Sequence, residues 1–245
     1  MSKKMQRKVI HEWFASTKGR ILQRQETAFL KRSITVSCKQ IIVQIGALGW
    51  ENDFIDCSLY EQFYVMDDKQ ESWHESKLVR GTTIALPFKS ESVDMVILPH
   101  LLEFSRHKHQ VLREVERILK PEGKLTILSF NPWNIYINLQ YMKRREKHAP
   151  WFPELVSRTR IEDWLRLLNF DVAVAAGFNF DTTRINSAHA ESRKQELRVA
   201  AYGIKAIKRC YHLIPLTPIR EYQSKYAMAK IIDVPIRQRQ YDAES

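Results

Sequence analysis

The chain has 245 residues, 44% hydrophobic and 27% charged, with a formal net charge of +11 and a sequence pI near 9.6. This size and balance suit one soluble globular domain with decorations, and no stretch approaches the ~20 apolar residues of a membrane-spanning helix. Cys38, Cys57 and Cys210 are odd in number, widely spaced and without a CxxC pair, which argues against a zinc site or a disulfide framework and fits a reducing cytoplasm.

In chain order, the N-terminus MSKKMQRKVIHEWF carries charge but no apolar run behind it, so a secretory signal is not expected. Residues 1–37 read as a basic helical segment, with Trp13, Phe14, Ile21, Leu22 and Phe29 giving a partial apolar face. The spacing predicts a first strand over Gln40–Ile45, a second over Gln62–Met66 ending in Asp67-Asp68, and a short third over Lys77–Arg80. Val93–Leu98 is almost unbroken in apolar character, as a strand buried on both faces of a parallel sheet would be. Leu112, Val115, Ile118 and Leu119 then recur at helical spacing, with Arg113, Glu114, Glu116 and Arg117 on the charged face. Lys120-Pro121-Glu122-Gly123 is expected to stop that helix, because proline cannot continue it and glycine accepts positive φ. Lys124–Phe130 completes a right-handed βαβ unit. Further on, Arg160–Asn169 reads as a helix, Val172–Ala176 as a strand, 179–198 as a loop with some helix, and Arg198–Ile207 as the last strand.

Three of these stretches resemble a known family. Leu86-Pro87-Phe88, Ser92-Val93-Asp94-Met95-Val96 and Glu114-Val115-Glu116-Arg117-Ile118-Leu119-Lys120-Pro121-Glu122-Gly123 are similar to the class I S-adenosylmethionine-dependent methyltransferases, closest to the type 11 group. The resemblance covers about residues 40–206. It implies an α/β, Rossmann-like fold: a mostly parallel central sheet, helices on both faces and a last antiparallel strand. It divides the chain into an N-terminal basic helical segment (1–37), a methyltransferase-like domain (38–208) and a C-terminal tail (209–245). Within the domain, residues 134–158 would form a lid on the substrate side. The "L...GF.V" pattern of the family has Asn169 where glycine is usual, and Ile214–Ile219 resembles its "TPI" tail.

The resemblance also implies S-adenosylmethionine as cofactor. The loop after the first strand would face its methionine part, and there Gly46 matches the family's first glycine. Gln44 stands for the usual acidic residue, and Leu48 and Trp50 fall on the next two glycines, where they put bulk in the ligand's place; Ala47 lies between. Asp67, with Asp68 as understudy, would hold the ribose hydroxyls, or else serve as a cap or solvated turn. Thr82 stands where an Asp often meets the adenine. Leu98, Pro99 and His100 lie beside the reaction centre, where His100 is a candidate general base or a structural histidine, since methyl transfer needs mainly positioning.

Other signals weigh less. His107 and His109 sit two apart and point to different helix faces, so no metal site is expected. Asn131-Pro132-Trp133 follows the fifth strand rather than the fourth, unlike an amino-methylating Asn-Pro-Pro-aromatic box. Tyr226 and Lys230 match YxxxK by chance in a polar tail. Three functions stay open: a methyltransferase of unassigned acceptor; an inactive methyltransferase-like binding or scaffold module, motivated by the worn loop; and nucleic-acid binding through the basic N-terminus and the aromatic, basic residues 134–153.

Overall fold

The computed structural model describes residues 11–34, 39–55, 62–67, 77–137, 139, 154–180, 186–187 and 198–210. Among these residues eight strands form one sheet: β1 (Ile42–Ile45), β2 (Phe63–Asp67), β3 (Lys77–Arg80), β4 (Val93–Pro99), β5 (Leu119–Phe130), β6 (Phe170–Phe178), β7 (Asn186–Ser187) and β8 (Ala201–Lys208). Their order is β3-β2-β1-β4-β5-β8-β6-β7. The first five pair in parallel. β8 lies antiparallel between β5 and β6, and β7 adds an antiparallel edge to β6. The expected Rossmann-like arrangement with an antiparallel last strand is the one observed.

Three labelled helices cover the sheet: α1 (Thr17–Ser33), α2 (Lys108–Ile118) and α3 (Arg158–Leu167). Val111, Leu112, Val115 and Ile118 of α2 join Ile161 and Leu165 of α3 against Val43, Ile45, Val96 and Leu98. On the other face Leu22, Phe29 and Leu30 of α1 pack with Trp13 and Phe14 against Ile42, Ile97, Leu128 and Phe130. The strands in the middle are therefore apolar on both sides, as their sequence demands.

Ser16 caps α1, its Oγ accepting from Gly19 N at 3.1 Å, and Lys31 and Arg32 in the last turn complement the dipole. Contact with the sheet is close at Gly203, where a Cβ would lie 2.5 Å from the Phe29 ring.

One turn differs from expectation and another follows it. α2 ends at Ile118, but β5 begins at once with Leu119 and runs through Pro121 and Gly123. The positive φ falls on Glu122 (61°), not on Gly123. Gly123 is required for another reason: a Cβ there would meet Lys120 O at 2.7 Å. Asn169 takes the left-handed conformation, φ 59°, between α3 and β6, so it does the work that glycine does in the family pattern. Among the described residues between β1 and β2, the only helical turn is the 3₁₀ turn Glu51–Asp53. The 134–158 insertion is described only in part, and the tail beyond Cys210 lies outside the described residues.

The α1–sheet contact yields a prediction. Gly203→Ala should destabilise the fold by about 1–3 kcal/mol, because the Phe29 ring must leave its place. Urea unfolding measures this, and the loss should shrink when Phe29→Leu is added.

Candidate active site

Strand register assembles the site. Gln44 lies opposite Ile97, Ile45 opposite Met66, and Asp67 opposite Arg80. Because these strands are parallel, the segments leaving their carboxyl ends sit side by side: Gly46-Ala47, Asp67, Gly81-Thr82 and Leu98-Pro99-His100. Two backbone bonds lock this edge, Gly46 N to Met66 O at 2.9 Å and Gly81 N to Asp67 O at 3.3 Å. This is the edge where open α/β sheets hold ligands.

The residues expected there have different fates. Gly46 has φ 94°, and a Cβ would meet nothing closer than Leu101 Cδ1 at 3.5 Å. Ala47 is half-buried and Asp67 is buried. Leu98 and Pro99 end β4, both buried. Thr82 is exposed, its Oγ1 donating a long 3.4 Å bond to Ala85 O. Gln44 is fully buried and its Nε2 donates to Gly46 O and to Glu51 Oε1, each at 2.8 Å.

Glu51 explains how the loop survives without its acidic residue. Its carboxylate, 3% exposed, accepts from Leu48 N at 2.5 Å, from Gly49 N at 3.0 Å and from Gln44 Nε2. An acidic side chain accepts at this turn after all, supplied from a few residues downstream. The bulky Leu48 and Trp50 are absorbed by the hydrophobic cluster that contains Trp13 and Phe14, with the Trp50 and Phe14 rings 4.6 Å apart. Gly49, φ 89°, lets the chain turn between them.

His100 sits in a left-handed backbone position, φ 49°, with 2% exposure. Its Nε2 lies 3.0 Å from Glu26 Oε1 of α1, and its Nδ1 lies 3.1 Å from Glu103 Oε1. Glu103 Oε1 also accepts from Phe130 N at 2.8 Å. The imidazole leans on Phe130, with centroids 4.2 Å apart, and faces Phe14 at 5.5 Å. Burial alone would lower the His100 pKa; the charge of Glu26 and the hydrogen bonds to Glu103 and Glu26 outweigh it and push it up to about 10. Burial raises the Glu26 pKa, and His100 counters part of that rise. His100 is thus a buried imidazolium with both nitrogens engaged, an arrangement that fixes α1 to the ends of β4 and β5.

His109 and Asn131, also read from the sequence, make structural contacts. His107 precedes α2, and His109 packs on Trp164 at 4.1 Å. Asn131 shapes a turn, its Nδ2 donating to Val199 O and its Oδ1 accepting from Trp133 N. Among the described residues no group of three or more His, Cys, Asp or Glu could hold a metal ion. Glu26, Glu51 and Glu103 escaped the sequence reading. For Glu26 the signal was present: Leu22, Glu26, Phe29 and Leu30 share one helix face, which sets a carboxylate in an apolar stripe.

Comparison with known proteins agrees with this geometry. Residues 49–127 match the family described as "Methyltransferase domain". An uncharacterized Escherichia coli protein, YafS, is 35% identical over 101 residues, 41% of this chain and 42% of its own. The ubiquinone/menaquinone biosynthesis C-methyltransferase UbiE of Hahella chejuensis is 36% identical over 66 residues, 26% of each chain. The matched stretches span less than half the length of these curated relatives. A Thermotoga maritima S-adenosylmethionine-dependent methyltransferase, described as a possible histamine N-methyltransferase, superposes with TM-score 0.61 at 18% identity, over 82% of this chain and 92% of that one. An Archaeoglobus fulgidus methyltransferase superposes with TM-score 0.57 at 17% identity, over 75% and 93%. The chain has the fold of the class I methyltransferases, and its residues 49–127 are similar to the methyltransferase domain family.

The buried triad predicts a pH dependence. His100 has a folded pKa above its unfolded value of 6.5, so its contribution is fully present below pH 6.5 and is lost as pH rises through about 10. Glu26, also raised, acts in the same direction from about pH 4.5 upward. The thermal midpoint should therefore fall steadily between pH 6.5 and 10. His100→Ala, which leaves two buried carboxylates facing each other, should cost about 3–5 kcal/mol at pH 7 and flatten that slope. Calorimetric scans across the range check both.

Proposed function

We propose that this domain binds S-adenosylmethionine across the carboxyl ends of β1, β2 and β4 and transfers its methyl group to a nucleophile. The observation that carries the reading is the pairing of two features on adjacent strands. One is the side-chain-free positive-φ turn at Gly46; the other is the Asp67 carboxylate at the end of β2. Together they suit a nucleoside-bearing cofactor whose ribose hydroxyls meet the acid while its methionine part approaches bare backbone.

Within this reading Asp67 holds the ribose, Thr82 lies at the adenine edge, and Gly46 and Ala47 line the turn. Gln44 acts indirectly, since its amide is committed to Gly46 O and Glu51. Leu98 and Pro99 form the wall beside the reacting centre. Once bound, the cofactor supplies an electrophilic sulfonium methyl, and this chain contributes position and exclusion of water rather than a base. His100 serves as a positioning residue: its two ring nitrogens are engaged by Glu26 and Glu103, so neither is free to take a proton from an acceptor.

A second reading rests on one observation. The Leu48 and Gly49 amides already bind Glu51, and Trp13, Phe14, Trp50 and Phe130 crowd the edge around His100. A domain closed in this way would serve as a binding or scaffold module, and the net charge of +11 favours nucleic acid as its partner. The three widely spaced cysteines support a reducing compartment for either reading.

Titration calorimetry with S-adenosylmethionine and its demethylated product separates the two. Micromolar binding that weakens at least about tenfold in Asp67→Ala is the expected result. An absence of heat at millimolar ligand, from a protein whose melting is normal, would establish the scaffold reading instead.

A further inference from the structure

Among the described residues six large apolar side chains stand exposed, and three of them fall within seven residues: Trp133 at 60%, Ile135 at 63% and Leu139 at 49%. They follow β5 directly, so they stand at the same carboxyl edge of the sheet as the candidate site. Residues 135–137 and 139 are helical. Ile135 and Leu139, four apart, share a face, while Ile137 points the other way and is fully buried. The turn that presents them is built to hold its shape. Asn131 Oδ1 accepts from Trp133 N at 3.1 Å, Asn134 Oδ1 accepts from Ile137 N at 3.1 Å, and the Asn134 amide donates to Arg198 O at 3.3 Å. The backbone that carries Trp133 is thus fixed, with the indole exposed.

Cations border this patch. Lys18 Nζ lies 3.6 Å from the centroid of the Tyr136 ring, which packs on Phe180 at 5.0 Å. Arg198 is exposed beside Asn134. An amphipathic indole, two aliphatic side chains on one helical face and a cationic border match the interfacial zone of an anionic bilayer. Nucleic acid fits less well, since Ile135 and Leu139 offer no ring for a base to stack on. A second copy of the chain fits less well too, because it would bring a net charge of +11 against another.

We infer that Trp133, Ile135 and Leu139 form a docking surface that seats this domain on an anionic lipid bilayer, with its sheet's carboxyl edge toward the membrane. The inference is independent of whether the domain transfers a methyl group.

The test is co-sedimentation of the full chain with sucrose-loaded vesicles, either pure phosphatidylcholine or one third phosphatidylglycerol. The expected result is capture by the anionic vesicles only. Capture should fall at least about tenfold in Trp133→Ser/Ile135→Ser/Leu139→Ser and several-fold when salt is raised from about 0.05 to 0.5 M. The three side chains are exposed, so the variant should melt like the parent, and melting is recorded alongside. Failure to sediment with anionic vesicles would overturn the inference. So would equal capture of parent and triple variant, which would trace binding to bulk charge alone. A shift of a single-stranded oligonucleotide or a dimer in light scattering that the triple variant abolishes, without vesicle capture, would assign the patch to another partner and likewise overturn it.

Discussion

A buried imidazolium between two carboxylates is the contact on which the front of this molecule depends. Glu26 arrives from α1, His100 from the end of β4, and Glu103 from the turn beyond it, where it also receives the amide of Phe130 at the end of β5. Three separate stretches of chain are tied at one proton-bearing ring. In a region this dry, losing any one partner leaves charge without compensation, so the arrangement has little tolerance for gradual change. Its location matters as much as its strength. It fastens the N-terminal helix at the carboxyl edge of the sheet, where open α/β sheets hold ligands.

With α1 fastened there, the preceding Trp13 and Phe14 become part of the site's wall, and the unusual loop after β1 becomes intelligible. A leucine and a tryptophan replace glycines, yet the backbone turn persists because both side chains pack into the cluster containing Trp13 and Phe14. The acid missing at Gln44 is replaced by Glu51, which reaches back to the same turn. The loop and the N-terminal segment are two halves of one solution. Large side chains in the loop require an apolar cover, and the cover is held down by the Glu26–His100–Glu103 contact.

The fold was legible wherever periodicity and punctuation were strong. The apolar run of β4, the amphipathic α2 and the last antiparallel strand stand close to where their patterns put them, because burial on both faces or on one stripe leaves few alternatives. Boundaries were less legible. Pro121 and Gly123 read as a stop, yet β5 runs through them, and the left-handed residue is Glu122. At the site, the nearness of Gly46, Asp67, Thr82 and His100 followed from the topology. The roles of Glu26, Glu51 and Glu103 did not, because each acts on a group far along the chain or on a backbone amide, and neither leaves a mark in local composition. Glu26 is the instructive case: a carboxylate on an apolar helix face implies a buried cationic partner somewhere, but only the assembled sheet shows that it is His100.

The position of β8 has a consequence for how the chain comes into being. β5 and β6 do not pair with each other; each pairs with β8, which fills the gap between them. Until Ala201–Lys208 emerges from the ribosome, β6 has no sheet to join, and the edge of β5 is left open beside a nascent chain. Synthesis of the 30 residues that follow Phe178, through Lys208, takes on the order of seconds, long compared with the formation of a helix. The parallel half can assemble in order of translation, while the antiparallel half must wait and then close in one step.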